Sequence, residues 1–512
     1  MNPTVEVETG RMEGRSYPAG TTGRQINSFQ AIPYVAPPVG PLRFRAPRPP
    51  LPWAGVRDAT RPGPSPMQSR TSPYSGALPG NLVQRISEDC LTLDVWAPAG
   101  ASNLPVLVWM PGGAFLTGGS ALETYDGSIL AADHDVVVVG VNYRLGAFGF
   151  AWFGDSDDRP ANCGLRDQIA AIDWVSRNIG AFGGDRDNVT AFGESAGAGS
   201  LLHLLSSTEK LKVRRAILQS AGVEFTMPGE QAELVTETFL RHVPGGRARV
   251  DDLPAEVILE AQELAVVALM PTVSSMPFHP SVDRQLLPAT PSVAFAEGAG
   301  ADIDLLVSWT SDEMRLFPNP AADEAGFEGI IRWTRALLSG RRGGSDVSED
   351  RAGQLVGFYQ DLLGPTRRST PADVWLAIQT DVLMRLPALR IADSHSANGG
   401  TTRTSEFAWS TPPAEGERDR GAFHAIDLPF TFGTLDRAGW REFLRAGPDA
   451  DRLAAAHMAA WAGFARSGTP DVEGLGAWPR YRQPERATVI FDSECSVGND
   501  PLATVEAAFD KL

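Results

Sequence analysis

The most constraining feature of the sequence is the run Gly193-Glu194-Ser195-Ala196-Gly197, a G-x-S-x-G element. Residues 188–192 before it include β-branched and aromatic side chains and predict a buried strand, while 198–205 are mostly apolar and predict the start of a helix. A serine on such a sharp turn projects its hydroxyl beyond the sheet, and the helix N-terminus lies beside the oxygen on which charge develops. Because the pentapeptide alone also suits an ordinary small-residue turn, its context must decide.

A nucleophilic serine needs a base, and the positions of the seven histidines indicate one candidate. A histidine must take the serine proton and a carboxylate must orient the imidazole, and both follow the serine in α/β-hydrolases. His424 is the one histidine in a loop directly after a late predicted strand, 404–409. The others precede the serine, or lie in predicted helices or a proline-rich stretch. We therefore expect His424 to be the base.

Two adjacent acids follow the predicted strand 304–309 and are candidates for orienting that histidine. They are Asp312 and Glu313. Adjacent acids are also typical of a solvated helix N-terminus, where they complement the helix dipole. That interpretation suits Asp312 better, so we prefer Glu313 as the acid and keep Asp312 as the alternative.

A glycine-rich turn supplies a candidate oxyanion hole. The predicted strand 105–110 leads into Pro111-Gly112-Gly113-Ala114. Glycines free backbone N–H groups to point at an oxyanion, and the amide of Ala196 could add a third donor. A Gly-Gly pair alone is more often a simple turn, but four such elements in this order are unlikely to coincide by chance.

The same motifs resemble those of the type-B carboxylesterases, the esterase and cholinesterase family, along nearly the whole chain. The matching segments are 29–34, 37–44, 87–95, 142–146, 164–168, 182–185, 193–197, 460–461, 464–466 and 478–479. The resemblance implies an α/β-hydrolase fold, with a central, mostly parallel sheet flanked by helices and helical cap insertions over the active site. It also implies roles for site residues: a triad of Ser195, Glu313 and His424, oxyanion donors Gly113, Ala114 and Ala196, a turn shaped by Gly112, and polar groups Glu194 and Ser220 behind the histidine.

Two departures from the family pattern bear on the site entrance. Pro111 stands where the family often has histidine or an aromatic residue. The segment 65–68 lacks the cysteine that often bridges to the position of Cys90, so we expect no disulfide there. The loop 61–80 should then be held by packing alone and form a mobile rim of the site, open to protease near Arg70.

The chain organisation predicted from the patterns is one large domain, 1–512, with insertions at about 228–300 and 322–400 that form the cap. We expect antiparallel strands at 5–10, 25–34 and 91–97, and buried parallel strands at 106–110, 136–142, 189–193, 215–219, 304–309 and 404–410. An amphipathic helix is predicted over 167–179. Thr370, which is followed by proline, is predicted to be the N-cap of a helix, and Pro387 should kink or end that helix.

Four residues near the triad in sequence are candidates for lining the pocket: Phe115, Leu116, Phe225 and Phe317. Plain core packing is an equally good interpretation of each. Together they favour an apolar pocket for neutral, aromatic or short-chain esters. The predicted function is a serine carboxylester hydrolase that works through an acyl-enzyme, without cofactor or metal. Hydrolysis of aryl carbamates or amides by the same triad is the close alternative, and a non-catalytic binding relative is the alternative from another class.

The overall composition of the chain limits its possible binding partners and its cellular compartment. A net charge of −17 speaks against nucleic acid and anionic membranes as partners. Three cysteines do not make a disulfide framework or a metal site. We see no signal peptide and no apolar run of membrane-spanning length. These features favour a cytoplasmic, bacterial enzyme that is a monomer or a small homo-oligomer and acts on small molecules.

Overall fold

A computed structural model describes most of the chain. The described residues are 2–70, 78–80, 83, 85–154, 158–221, 225–270, 273, 276–341, 347–364, 369–413, 417–472 and 475–510. The strands are β1 (Thr4–Val7), β2 (Gly10–Glu13), β3 (Arg15–Ala19), β4 (Arg24–Pro33), β5 (Val56–Asp58), β6 (Thr92–Pro98), β7 (Leu104–Met110), β8 (Val137–Val141), β9 (Gly184–Glu194), β10 (Arg215–Gln219), β11 (Asp304–Thr310), β12 (Thr402–Phe407), β13 (Asp471–Val472), β14 (Gly476–Ala477), β15 (Ala487–Phe491) and β16 (Ser496–Asn499).

Eleven strands form one central sheet in the order β16-β15-β12-β11-β10-β9-β7-β8-β6-β4-β3. The seven strands from β15 to β8 are parallel to one another, and antiparallel strands complete both edges. The mostly parallel sheet predicted from the sequence is confirmed. The sequence patterns missed β3, β15 and β16, and β1 pairs with β2 in a separate small sheet.

Helices connect the strands and cover the sheet. They are α1 (Ser128–His134), α2 (Gly146–Phe150), α3 (Cys163–Asn178), α4 (Ala196–Leu205), α5 (Gly229–His242), α6 (Ala255–Leu269), α7 (Pro291–Ala296), α8 (Ala321–Arg341), α9 (Glu349–Leu363), α10 (Pro371–Thr380), α11 (Leu386–Ala397), α12 (Leu428–Phe432), α13 (Trp440–Leu444), α14 (Pro448–Ser467) and α15 (Ala503–Phe509). Short 3₁₀ turns lie at Gly40–Leu42, Glu123–Tyr125, Ile179–Phe182, Gly246–Ala248 and Glu313–Leu316. In the described part of the chain, none of these helices has the length and apolar character needed to cross a bilayer.

The two faces of the sheet bury separate hydrophobic cores. Along β7, Val106 and Val108 belong to one core, whereas Leu107 and Trp109 belong to the other. This division follows because successive side chains of a strand point to opposite faces. The first core includes residues of α3, and the second includes Trp461 of α14. Both faces are covered by helices, as a parallel sheet of near-continuous apolar strands requires.

The helix that begins at α10 starts with the predicted N-cap and continues past Pro387. The hydroxyl of Thr370 accepts from the backbone N–H of Asp373, whose carboxylate completes a capping box. Pro387 does not end the helix. A π-helical stretch, Asp381–Arg385, precedes it, and α11 then continues. Because proline cannot donate to the carbonyl four residues earlier and its ring crowds that carbonyl, a locally wider turn accommodates it.

The segment 61–70 is not held by packing alone, so that expectation was wrong. The amide of Gln68 donates to the carbonyl oxygen of Gly118 at 2.7 Å and accepts from its N–H at 2.9 Å. Ser65 exchanges backbone hydrogen bonds with Arg85 and Ser87. Hydrogen bonds to residues about 20 to 50 positions further along the chain thus hold this segment. Residues 71–77 of the same loop lie outside the described part of the chain.

The cysteines bear out the expectation of no disulfide. Cys90, Cys163 and Cys495 are all free, and the first two are buried. Burial raises the pKa of the Cys90 thiol far above its usual range. This side chain therefore behaves as a small hydrophobic residue.

Candidate active site

Ser195 occupies a strained turn between a strand and a helix. It follows β9, which ends at Glu194, and it is the N-cap residue of α4. Its backbone angles, φ 54° and ψ −120°, are rare for a residue with a side chain. The N–H of Ser195 donates to the carbonyl oxygen of Gln219 at the end of β10, 2.9 Å away. The neighbouring strand therefore helps to hold the strained conformation.

The glycines around this serine are required by close backbone contacts. A Cβ on Gly197 would lie 1.9 Å from the carbonyl oxygen of Met110, and one on Gly193 would lie 2.6 Å from the carbonyl carbon of Gly197. A Cβ on Gly112 would lie 2.7 Å from Glu194 and 3.2 Å from the Cβ of Ser195. Only glycine permits the end of β7 to pack this closely against the serine turn.

Glu313 and His424 form a short hydrogen bond. Nδ1 of His424 lies 2.6 Å from Oε2 of Glu313, and the backbone N–H of His424 donates to the carbonyl oxygen of Glu313 at 3.1 Å. The second carboxylate oxygen of Glu313 accepts from the N–H of Thr310 at 2.9 Å. Glu313 is fully buried and His424 nearly so. Since a carboxylate oxygen accepts, Nδ1 carries the proton and Nε2 is the nitrogen that can take another.

Asp312, the alternative acid, forms hydrogen bonds with the backbone of the segment before His424. Oδ2 of Asp312 accepts from the N–H of Ala422 at 3.1 Å, and Oδ1 lies 3.2 Å from Nε of Arg315. The backbone N–H of Asp312 also donates to the carbonyl oxygen of Ala422. These bonds tie the segment before His424 to the end of β11.

The glycine-rich turn after β7 leaves backbone donors free beside the serine. Gly113, Ala114 and Ala196 all line the cavity that contains Ser195 and His424. Among the residues that the structure describes, none accepts a hydrogen bond from the N–H groups of these three. Positive φ values at Gly113 and Ala114, 117° and 58°, produce the reversal of the chain. Tyr143 fixes the turn, because its hydroxyl donates to the carbonyl oxygen of Pro111 at 2.7 Å.

Comparisons with known proteins agree with this arrangement along the whole chain. Residues 1–504 match the model of the carboxylesterase family. The chain belongs to the carboxylesterase family. It is 37% identical over 492 residues to the para-nitrobenzyl esterase of Bacillus subtilis (strain 168), with 94% of each chain covered. Two solved structures cover 99% of this chain: a PNB esterase, at TM-score 0.82 and 34% identity with all of its own chain covered, and a carboxylesterase from Geobacillus stearothermophilus, at TM-score 0.83 and 35% identity with 99% covered.

The family and the fold together make this chain a serine carboxylester hydrolase with an α/β-hydrolase fold. The resemblance described from the sequence is thereby confirmed, as is the general activity. The non-catalytic relative needs no further consideration.

The imidazole of this esterase contacts a second carboxylate. Nε2 of His424 lies 3.0 Å from Oε1 of Glu194, the residue just before the serine. Burial opposes the imidazolium, but the charges of Glu194 and Glu313 outweigh it and raise the pKa of His424 above its usual 6.5. Burial also raises the pKa of Glu194, while the His424 charge opposes that shift. The two groups therefore compete for protons, and each sets the protonation of the other.

A buried polar network behind the histidine was missed by the sequence patterns. Asp427 accepts from Nε2 of Gln219 at 2.7 Å, and Oε1 of Gln219 accepts from Nε1 of Trp461 at 3.0 Å. Burial raises the pKa of Asp427 to about 6. In the sequence, Asp427 was recognisable only as an acidic residue three positions after His424. Ser220, which was expected behind the histidine, is buried, and its hydroxyl has no hydrogen-bond partner within the described part of the chain.

The cavity of the esterase is largely apolar and has a volume of about 400 Å³. Its apolar lining comprises Leu78, Phe115, Leu122, Phe225, Met276, Met314, Leu316, Phe317, Trp375, Leu383, Met384 and Leu428. Trp375, Leu383 and Met384 come from α10 and the π-helical stretch, within the second predicted insertion. No lysine, arginine or aspartate of the described residues lines the cavity.

Three of the four predicted pocket residues line this cavity, and Leu116 does not. Phe115, Phe225 and Phe317 are among the lining residues, and Phe317 lies 5.7 Å from the His424 ring. Leu116 is buried in the core of the sheet instead. The reason is local, since its N–H donates to the carbonyl oxygen of Gly113 and closes a tight turn. Closeness in sequence to the oxyanion turn was therefore a poor guide to its side-chain position.

Proposed function

We propose that Ser195, Glu313 and His424 are the catalytic triad of this carboxylesterase. The observation that carries the proposal is the 2.6 Å bond from Glu313 to His424, which lines the same cavity as Ser195 and three backbone N–H groups from which no described residue accepts a hydrogen bond. Nε2 of His424 accepts the serine proton as Oγ attacks the ester carbonyl. The N–H groups of Gly113, Ala114 and Ala196 stabilise the oxyanion, with the N-terminus of α4 adding favourable dipole charge.

The tetrahedral intermediate collapses when the C–O bond to the alcohol breaks. His424 returns its proton to the leaving alcohol, which leaves an acyl ester on Ser195. Water then attacks the acyl carbonyl while His424 takes its proton, and a second collapse releases the acid and restores the serine. Glu313 keeps the imidazole in the Nδ1–H tautomer and stabilises the imidazolium in both halves of the cycle.

The preferred substrates, in this proposal, are neutral esters with aromatic or short apolar groups. An apolar cavity of about 400 Å³ that no described lysine or arginine lines supports this choice. An anionic ester would lose its hydration there without a compensating partner. A cap formed by the segments 228–300 and 322–400 of a single domain 1–512 would exclude bulk water from the acyl-enzyme.

Turnover of a p-nitrophenyl ester panel by Ser195→Ala tests the assignment. Triad serine removal costs about four or more decades in rate. Ser206→Ala is the matched control, because Ser206 lies at the other end of α4 and donates to the carbonyl oxygen of Leu202. Wild-type turnover by the alanine variant at position 195 would overturn the triad. Hydrolysis of aryl carbamates but not of esters by the wild type would overturn the substrate class.

We further propose that the enzyme works in a bacterial cytoplasm, as a monomer or small homo-oligomer. Three free cysteines suit a reducing compartment. The net charge of −17 disfavours binding to nucleic acid or anionic membranes. Cell fractionation of the native host and light scattering of the purified protein test these two points.

A further inference from the structure

Two histidines outside the triad are buried or partly buried beside the wall of the cavity. His203 lies on α4, two turns after Ser195, and His279 lies in the segment before α7. His203 is fully buried. Burial lowers the pKa of both imidazoles to about 4, so both are neutral near pH 7. Neither takes part in the proposed reaction, and both bond to residues 225–226.

The direction of each hydrogen bond from His203 follows from its partners. Nδ1 of His203 lies 2.6 Å from the carbonyl oxygen of Gly199, which can only accept, so Nδ1 carries the proton. Nε2 of the neutral ring is then an acceptor. The hydroxyl of Thr226 lies 2.7 Å from it and must donate. A threonine next to the lining residue Phe225 is thus bonded to the helix that begins at the nucleophile.

His279 forms a second hydrogen bond to the same two-residue segment. Its Nδ1 donates to the carbonyl oxygen of Phe225 at 3.0 Å and lies 3.3 Å from that of Pro280. The rings of Phe225 and His279 meet edge to face, with centroids 6.3 Å apart. The next residue, Met227, forms a parallel bridge to Ser281. Phe225 therefore lines the cavity from a segment that two histidines and a backbone bridge hold in place.

We propose that His203 and His279 are positioning residues that fix Phe225 and so limit the size of the ester group that the cavity accepts. The imidazoles do not touch the reacting atoms. Without the bond from Thr226, the segment could move away from α4, and the phenyl wall would yield to a larger group. This inference rests on the proposed ester hydrolysis.

The test is selectivity of the Thr226→Val variant, which replaces the hydroxyl by a methyl group of similar size. We expect the kcat/KM ratio of a bulky to a small ester to rise about threefold to fivefold, since the loss of one neutral hydrogen bond changes relative rates by about that factor. The probes are p-nitrophenyl benzoate against p-nitrophenyl acetate, and benzyl against methyl phenylacetate. Thr226→Ser keeps the donor and should keep the wild-type ratios.

The chain contains a matched control pair far from the cavity. Nδ1 of His395 accepts from the hydroxyl of Thr402 at 2.8 Å, and its Nε2 donates to the carbonyl oxygen of Gly300 at 3.0 Å. Thr402 begins β12, at the end of the sheet opposite the site. Thr402→Val removes the same kind of bond and should lower the thermal midpoint without changing either ratio.

The histidine bond is tested by two substitutions at one position. His279→Asn can retain a donor near the place of Nδ1, whereas His279→Leu cannot. We expect raised ratios with leucine and wild-type ratios with asparagine. Unchanged ratios in both Thr226→Val and His279→Leu, in folded proteins that still hydrolyse the small esters, would overturn the inference alone. Absence of ester hydrolysis in the wild type would instead overturn the proposed function on which it rests.

Discussion

The carboxylate of Glu194 should set the pH dependence of this esterase. It lies 3.0 Å from Nε2 of His424, the nitrogen that must be neutral to accept the serine proton. A negative charge there stabilises the imidazolium and raises the pKa of His424 above 6.5. The acid limb of kcat/KM should therefore lie above 6.5, not at the reference histidine value that the sequence alone would predict. Glu194→Gln removes the charge at nearly constant volume and should lower the apparent pKa.

The size of the shift can be bounded from the distance. Two unit charges 3.0 Å apart interact by about 5.5 kcal/mol at an effective dielectric constant of about 20. At about 1.4 kcal/mol per pKa unit, the ceiling is about 4 units. Glu194 realises less than this ceiling, because burial raises its own pKa and leaves it partly protonated near neutral pH. We expect a downward shift of at least about one unit, by the same conversion.

The assay is kcat/KM for p-nitrophenyl acetate across the pH range, read where both forms of p-nitrophenol absorb equally. Wild type and Glu194→Gln are each normalised to their own maximum, so that a lower maximal rate does not mask the shift. Glu406→Gln is the control, because Glu406 on β12 bonds to Trp309 and Arg385 rather than to His424. An acid limb at or below 6.5 in the wild type, or one that Glu194→Gln leaves in place, would refute the reasoning.

The remaining predictions address the triad, the turn and the thiols. An organophosphate should label wild type and fail to label Ser195→Ala, as intact-protein mass spectrometry will show. Glu313→Gln should lose most activity, whereas Asp312→Asn should lose little, because only the former accepts from the imidazole; the reverse ranking of kcat would move the acid by one residue. Gly112→Ala should abolish activity or folding, since its Cβ would lie 2.7 Å from Glu194, and circular dichroism separates the two outcomes. Thiol titration of the denatured, unreduced protein should find three free cysteines.

The sequence could predict those parts of the site whose positions depend on backbone geometry. Ser195 needed a strand, a tight turn and a helix, and all three leave short-range patterns. His424 and Glu313 follow the ends of neighbouring parallel strands, which meet at one edge of a sheet. Chain order and strand order therefore indicated which residues should come together.

Side-chain contacts over long sequence separations could not be predicted in the same way. The hydrogen bonds from Gln68 to Gly118 span 50 residues of sequence, and no local pattern predicts them. The sequence offered a proline-rich loop and an absent cysteine, and both favoured a mobile rim. Strand β15, Ala487–Phe491, was missed because it directly follows a run of polar residues. Pairing with β12 supplies the stability that its short pattern does not show.

The way each part is held suggests where substitutions change chemistry and where they change selectivity. Ser195 and Glu313 follow strands whose ladders fix them, so, under the proposed triad, we expect a change there to alter the reaction itself. Phe225 lies between strands and depends on single hydrogen bonds such as the one from Thr226 to His203. A single neutral hydrogen bond contributes only about 1 kcal/mol to stability, so its loss is tolerable for folding. The same energy is about a fivefold factor in relative rates, which is enough to alter the choice between two esters.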